Sequence, residues 1–373
     1  MRELNSKTSD PSSEPAGRLI FDGHTDLALF ALAYNRDQTK SAEQINQREK
    51  GMSDTHDRGR AANSLFEMRQ AGVAVCVSSL AARVNPQAIP VLRVELDFLT
   101  HRMAYANAQG QLAYYRVLER EGQLKLIHTS NELTAHWRRW QQPDNHPEPI
   151  GLIVAMECAD PIVDPAQVES WWNDGLRSVM LAHFGKSQYA HGTGSSGPLT
   201  DAGCQILKEF EEIGMILDVS HLSDPGFDEA LDKFSGPVIA SHTNCRALVP
   251  GDRQFDDRQI KRLLERDAVI GAVMDAWMLV PGWVLGESTP DHVKLSLVAD
   301  HIDHVCQIAG DTRHAAIGSD MGGTNHMPID LKTTSDLHRI ATSLEQRGYS
   351  SGDIDNIFHN NWLRFFQEWL PVS

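Results

Sequence analysis

With 373 residues, an apolar fraction of 41% and a formal net charge of −16, the chain suits one large barrel or two ordinary domains. It lacks the clustered Lys and Arg that nucleic acid or an anionic membrane would need. Its five cysteines (Cys76, Cys158, Cys204, Cys245, Cys306) are widely spaced with no CxxC pair, and read as reduced, mainly buried thiols.

Residues 1–18, rich in Ser, Pro and charge, are expected to be a disordered leader, and 19–373 a single catalytic domain. The leader has no apolar h-region, and no apolar run approaches the roughly 20 residues of a membrane span, so a cytoplasmic protein without membrane partners is expected. From residue 19 onward a pattern recurs eight times: a short apolar run ends in a polar residue, then a helical stretch follows. The runs are LIFDGHTD (19–26), VAVCVSSL (73–80), IGLIVAME (150–157), RSVMLAH (177–183), MILDVSH (215–221), PVIASH (237–242), VIGAVMD (269–275) and HAAIGSD (314–320). Such near-continuous apolar strands suit a parallel sheet buried on both faces. Helices are expected over 201–214, from Thr200 as N-cap to Gly214, and over 256–267 and 290–310. The long interval 81–149 has room for extra helices. Eight strand–helix repeats without a linker predict an α/β fold, a closed (β/α)8 TIM barrel.

In such a barrel the carboxyl ends of the strands converge on one face. The strand-terminal residues here are His24 and Asp26, Glu157, His183, His221, His242, Asp275 and Asp320. One strand-end histidine is more often a satisfied structural residue than a ligand, and His24 and Asp26 could simply bond each other. A whole set of imidazoles and carboxylates is hard to explain as core, because burying unpaired charge is expensive. Alternate residues on a strand point the same way, so His24 and Asp26 can reach one ion. Histidines with carboxylates and no thiolate cluster suit Zn²⁺. Glu157 is then the natural shared ligand between a His24/Asp26 site and a His221/His242 site. Two ions about 3.5–4 Å apart can hold a hydroxide and polarise a scissile carbonyl. Asp320 remains as general base and proton carrier, and His183 as a donor to the developing oxyanion.

These neighbourhoods resemble the membrane (renal) dipeptidase family of binuclear zinc metallopeptidases. The matching pieces, in order, are DGHTDL (22–27), AMECAD (155–160), LAHFG (181–185), DVSHLSD (218–224), SHTNCRALVPGDRQFDD (241–257), DHIDHVCQIAG (300–310), IGSDMGG (317–323) and NNWLRFF (360–366). The resemblance implies a (β/α)8 metal-dependent hydrolase, typically a homodimer, that cleaves dipeptides and often tolerates a D-residue at the C-terminal position. It implies two Zn²⁺ per chain, bridged by Glu157 and a water or hydroxide, with His24 and Asp26 on one ion and His221 and His242 on the other. It further implies that Asp320 handles the proton, that His183 contacts the tetrahedral intermediate, and that Arg253 binds the substrate carboxylate. Read without the resemblance, Arg253 is a surface residue paired with Asp252 or Asp256. Three positions depart from the family pattern. Cys158 follows the bridging Glu where Gly is usual, and is expected to narrow the floor of the site. Gly322 stands where a second Asp is common, and Thr25 where Asn is.

Other signals are weaker. Gly192, Gly194 and Gly197 match a dinucleotide fingerprint but do not sit between a strand and a helix, and read instead as a flexible loop over the barrel mouth. His301 and His304 read as a solvated helix face. Trp277 and Trp283 either wall a substrate pocket or pack within their loop. Two other functions compete with the dipeptidase: a binuclear amidohydrolase acting on another amide or a lactone, such as an N-acyl amino acid or β-lactam, and a catalytically silent metal-binding relative.

Overall fold

The runs rich in Val, Ile and Ala become strands because both of their faces can be buried. All nine residues of Val73–Ala81 and all eight of Ile150–Glu157 lie in the interior. A computed structural model describes residues 17–55, 57–87, 96–142, 148–284, 287–322 and 326–373. The expected leader, apart from Gly17 and Arg18, lies outside them.

The eight barrel strands are β1 (Ile20–Thr25), β2 (Val73–Ala81), β3 (Ile150–Glu157), β4 (Leu176–Met180), β5 (Ile216–Asp218), β6 (Val238–Ile239), β7 (Ile270–Ala272) and β8 (Ala315–Ile317). β1 to β6 pair in sequence order, all parallel, and β7 pairs with β8. Two single parallel bridges join the arc of six to the pair: Ala240 to Ile270, and Thr25 to Met321. The sheet therefore curls into the expected barrel, with two thin seams. Gly271 and Gly318 make one seam possible: a Cβ at either would stand 1.9 or 1.8 Å from the Ser241 carbonyl oxygen.

Most helices form where capping chemistry places them. Thr200 caps Asp201–Ile213 through the Gly203 N–H, and Gly214 ends it at φ 79°. Asp256 caps Asp257–Leu264 with a reciprocal bond from Gln259. The helix expected from 290 begins only at Val298 and runs to Ala309. Pro290 opens a separate 3₁₀ turn instead, and the Leu295 N–H is taken by Asp330 (2.9 Å). The interval 81–149 holds helices His101–Arg120 and Ser130–Trp140, plus an unexpected short strand, Leu124–Leu126, alongside β3. Helix Asn361–Trp369 closes the bottom of the barrel, its Trp362 Nε1 donating to Ile317 O (2.8 Å).

Candidate metal centre

The polar residues at the barrel mouth come from two kinds of position. His24 and Glu157 lie within β1 and β3. His183, His221, His242, Asp275 and Asp320 do not end their strands as expected: each is the third residue beyond its strand. At two of these positions the chain has left the extended region altogether, with His221 and Asp320 at φ 69° and 55°. Left-handed conformations cannot continue a strand, and each costs about 1–2 kcal/mol outside Gly. Cys158, directly after Glu157, is held at φ 80°, which a Gly would adopt freely. Its thiol, pushed well up by burial, hydrogen-bonds the Asp160 carboxylate.

Around one carboxylate oxygen, Glu157 Oε1, stand the Nε2 atoms of four imidazoles: His221 and His242 at 3.4 Å, His183 at 3.6 Å and His24 at 3.8 Å. His24 Nε2 also lies 3.8 Å from Asp26 Oδ1 and 3.7 Å from Asp320 Oδ1. Thr25, between His24 and Asp26, turns away to bond Val77 O (3.4 Å). Three overlapping groups offer ligand atoms within 4.8 Å of one another: His24, Glu157 and His242; Glu157, His183 and His221; His24, Asp26 and Asp320.

These separations test whether a metal fits. They exceed a good hydrogen bond, yet two ligands on one tetrahedral ion, each at about 2.1 Å, are about 3.4 Å apart. His24 is fully buried, and neither ring nitrogen has a hydrogen-bond partner among the described residues. His221 and His242 face each other Nε2 to Nε2 at 3.2 Å while a hydroxyl occupies each Nδ1: Thr193 Oγ1 at 3.1 Å and Ser241 Oγ at 2.9 Å. Protons on Nδ1 leave two bare lone pairs converging on the same space. Burial holds His24, His221 and His242 well below the ordinary imidazole range, so they are neutral and able to donate those lone pairs. The residues fit divalent metal.

Beneath the ligands lie two buried carboxylates that the strand-end reading overlooked. Asp22 accepts from the backbone N–H groups of His24 (3.3 Å) and Ser319 (2.8 Å), and from the Ser319 hydroxyl. Burial raises it to about 6. Asp218 accepts from the N–H groups of Ser220 (3.0 Å) and Ser241 (3.1 Å) and from the Ser241 hydroxyl, which in turn faces His242. The sequence signal was the spacing, each Asp preceding a mouth His by two or three residues; the pairing with a Ser just beyond a neighbouring strand appears only in the fold.

Asp320 joins this cluster with its carboxyl pushed well up, by burial first and then by Asp26, Glu157 and Asp275, against the pull of Arg253. Its side chain is 17% exposed, more than His24, Asp26, Glu157, His183, His221 or His242. Asp275 is buried and raised to about 7. The surface reading of Arg253 is wrong. Arg253 is 2% exposed, and its Nη2 donates to His242 O (2.7 Å). Its buried Nη1 has no hydrogen-bond partner among the described residues. Asp252 is occupied by the Gly194 N–H (2.7 Å), and Asp256 by its helix cap.

Two further expectations are corrected. The 192–197 loop is pinned, not loose: Thr193 bonds His183 O (3.0 Å) and Gly185 N (2.8 Å). A Cβ at Gly192 would stand 2.0 Å from His183 O, so close backbone approach requires that glycine. His301 does not face solvent; it is buried and accepts from Cys245 N–H (3.1 Å), whereas His304 pairs with Asp257 (2.8 Å).

A model of the membrane dipeptidase family, peptidase family M19, matches residues 17–371. The chain belongs to this family. It is 31% identical over 244 residues to the dipeptidase aclJ of Aspergillus oryzae, covering 64% of this chain and 55% of that protein. It is also 31% identical over 203 residues to the dipeptidase tcpJ of Claviceps purpurea, covering 53% and 46%. The chain thus spans about half the length of these curated relatives. Among solved structures, a metallopeptidase from Rhodobacter sphaeroides, bound to a phosphinate mimic of L-Ala-D-Ala, superposes with a TM-score of 0.76 at 22% identity, over 95% of this chain and 99% of that one. The probable dipeptidase PvdM from Pseudomonas aeruginosa gives 0.75 at 18%, over 95% and 96%. Both share the barrel. Among the described residues, no helix of this membrane dipeptidase family member is long and apolar enough to cross a membrane.

Proposed function

We propose that this chain is a two-zinc dipeptidase, and that the ring of four imidazole nitrogens around Glu157 Oε1, at 3.4–3.8 Å, is the observation that carries the reading. His24 and Asp26 would hold one ion and His221 and His242 the other, with Glu157 shared. When bound, such ions polarise a carbonyl and acidify water.

The remaining work falls to the chain itself. Arg253, with a buried guanidinium nitrogen still unsatisfied, suits the free carboxylate of a dipeptide through two parallel charge-assisted hydrogen bonds. That contact distinguishes a two-residue substrate from a longer chain. His183, whose Nε2 lies 3.6 Å from Glu157 Oε1, would donate to the oxygen that gains charge at the tetrahedral centre. Asp320, within 3.7 Å of His24 Nε2 and the most exposed of the clustered groups, would take a proton from the attacking water and return it to the leaving amine. A D-residue at the C-terminal position is expected to be tolerated, in line with the L-Ala-D-Ala mimic bound by the Rhodobacter protein. We further expect a cytoplasmic homodimer.

The test is elemental analysis together with turnover of Ala–Ala in its L-L and L-D forms, each free and C-terminally amidated. Two zinc ions per chain, cleavage of the free peptides and poor cleavage of the amides are expected. Equal cleavage of the amides would replace the dipeptidase with a broader amidohydrolase.

A further inference from the structure

Four imidazoles surround Glu157 Oε1, but what stands behind their other nitrogens differs. Behind His221 and His242 are hydroxyls whose own protons go elsewhere: Thr193 Oγ1 donates to His221 O (3.4 Å), and Ser241 donates to Asp218. Each hydroxyl oxygen is left to accept from Nδ1–H, which bares the lone pair of Nε2. Behind His183 is Arg83 instead, with Nη1 3.4 Å from Nδ1. A guanidinium donates and never accepts. Nδ1 of His183 is therefore the acceptor, and the single proton of the neutral ring lies on Nε2, the nitrogen that faces Glu157.

Arg83 is set for this contact by its own surroundings. Just beyond β2, Arg83–Val84 pairs in parallel with Asp97–Phe98. Asp97, the register partner of Arg83, accepts from Nε through Oδ1 and from Nη2 through Oδ2 (3.2 Å). That fork uses one edge of the guanidinium and leaves Nη1 on the other side for His183. The Val84 N–H is anchored on Asp160 Oδ2 (2.7 Å), in the loop that follows Glu157. The Asp97 side chain is 3% exposed and that of Arg83 12%, so solvent screens the pair little.

We propose that Arg83, held by Asp97, is a positioning residue that fixes the Nε2–H tautomer of His183, so that this fourth imidazole donates a hydrogen bond to the reacting oxygen and does not ligate metal. The proposal rests on the two-zinc dipeptidase reading. It separates His183 from the group it forms with Glu157 and His221, whose ligand atoms by spacing alone would suit an ion.

The test uses the zinc-loaded full chain with isotopically labelled histidine, and reads ring tautomers by long-range proton–nitrogen NMR. Signals missing from His183→Ala belong to His183. In the wild type they should show the proton on Nε2. His183→Ala should keep two zinc ions per chain and lower kcat by about 10²–10³-fold, as loss of an oxyanion donor does. Arg83→Met should let the proton populate Nδ1 and lower kcat by about 10–100-fold, with KM and zinc content unchanged. Arg83→Lys, which keeps a donor, should restore most of that loss. A wild-type His183 protonated on Nδ1 would overturn the proposal, and so would loss of one zinc ion from His183→Ala. Slower turnover in Arg83→Met with an unchanged tautomer would mark Arg83 as structural and likewise end it. Should Arg83→Met not fold, the wild-type spectrum and the zinc content of His183→Ala still decide. Both are read without turnover, so a failure to cleave any dipeptide would end the dipeptidase reading separately.

Discussion

Two sets of buried histidines share this barrel. His136 sits below the mouth and is 0% exposed, yet its Nε2 donates to Ala74 O (3.0 Å); His314 bonds Ala268 O (2.9 Å) and His301 takes the Cys245 N–H. At the mouth, His24, His221 and His242 are equally buried but aim Nε2 at one another and at carboxylates. Burial depresses His136 and His301 as it does the three at the mouth, so neither burial nor a low pKa identifies a ligand. The direction of the ring nitrogens separates them: a backbone partner satisfies His136, His301 and His314, whereas at His221 and His242 a hydroxyl lies behind Nδ1 and Nε2 faces the shared carboxylate, as the proposed metal ligation requires.

The comparison breaks most easily at the mouth. His242→Ala or His221→Ala should lose one ion and nearly all turnover while far-UV circular dichroism stays native. Full activity with two ions retained would place the ligands elsewhere. Asp320→Asn is expected to keep both ions and lower kcat by about 10²–10⁴-fold, as loss of a general acid/base does. Near-wild-type kcat would move the proton role to Asp275. Thr193→Val removes the partner of His221 Nδ1 and should weaken metal retention by about 10–100-fold in a chelator competition. Arg253→Met should raise KM for free dipeptides by about tenfold and leave amidated ones unchanged, a difference of about 1.4 kcal/mol.

The lower set acts on stability and leaves turnover alone. His136 falls from 6.5 to about 4 on folding, as does His301, both through burial. Above pH 6.5 each is neutral in both states and costs nothing. Between 6.5 and 4 the unfolded chain takes up the proton that the fold refuses, so stability is lost as pH falls, by up to about 3 kcal/mol per residue. Metal-free His136→Gln should show a shallower drop in urea midpoint from pH 7 to 4.5 than metal-free wild type, with zinc-restored activity retained. An identical drop would remove His136 from the account.

Much of this was legible in the sequence, for a physical reason. Period-2 strands buried on both faces produce continuous apolar runs, and the barrel brings their polar ends together, so His24, Asp26, Glu157, His183, His221, His242 and Asp320 could be read from position alone. Tertiary partners could not. Thr193 reaches His221 from a loop that resembles a nucleotide motif, and Arg253 turns inward because Asp252 and Asp256 are occupied by Gly194 and a helix cap. The strand ends were misplaced by three residues wherever a left-handed residue or a loop, invisible to hydrophobic periodicity, carried the side chain.

The two thin seams divide labour along the chain. Every proposed zinc ligand belongs to the β1–β6 arc, whereas Asp275 and Asp320 stand on the β7–β8 pair, joined to it through Ala240–Ile270 and Thr25–Met321. On the proposed ligand set, sequence drift in the last third of the chain would tune turnover while leaving the ion-holding residues in place. A lineage that loses its chemistry by this route would persist as a zinc-loaded barrel, and metal content alone would not tell the living enzyme from its relic.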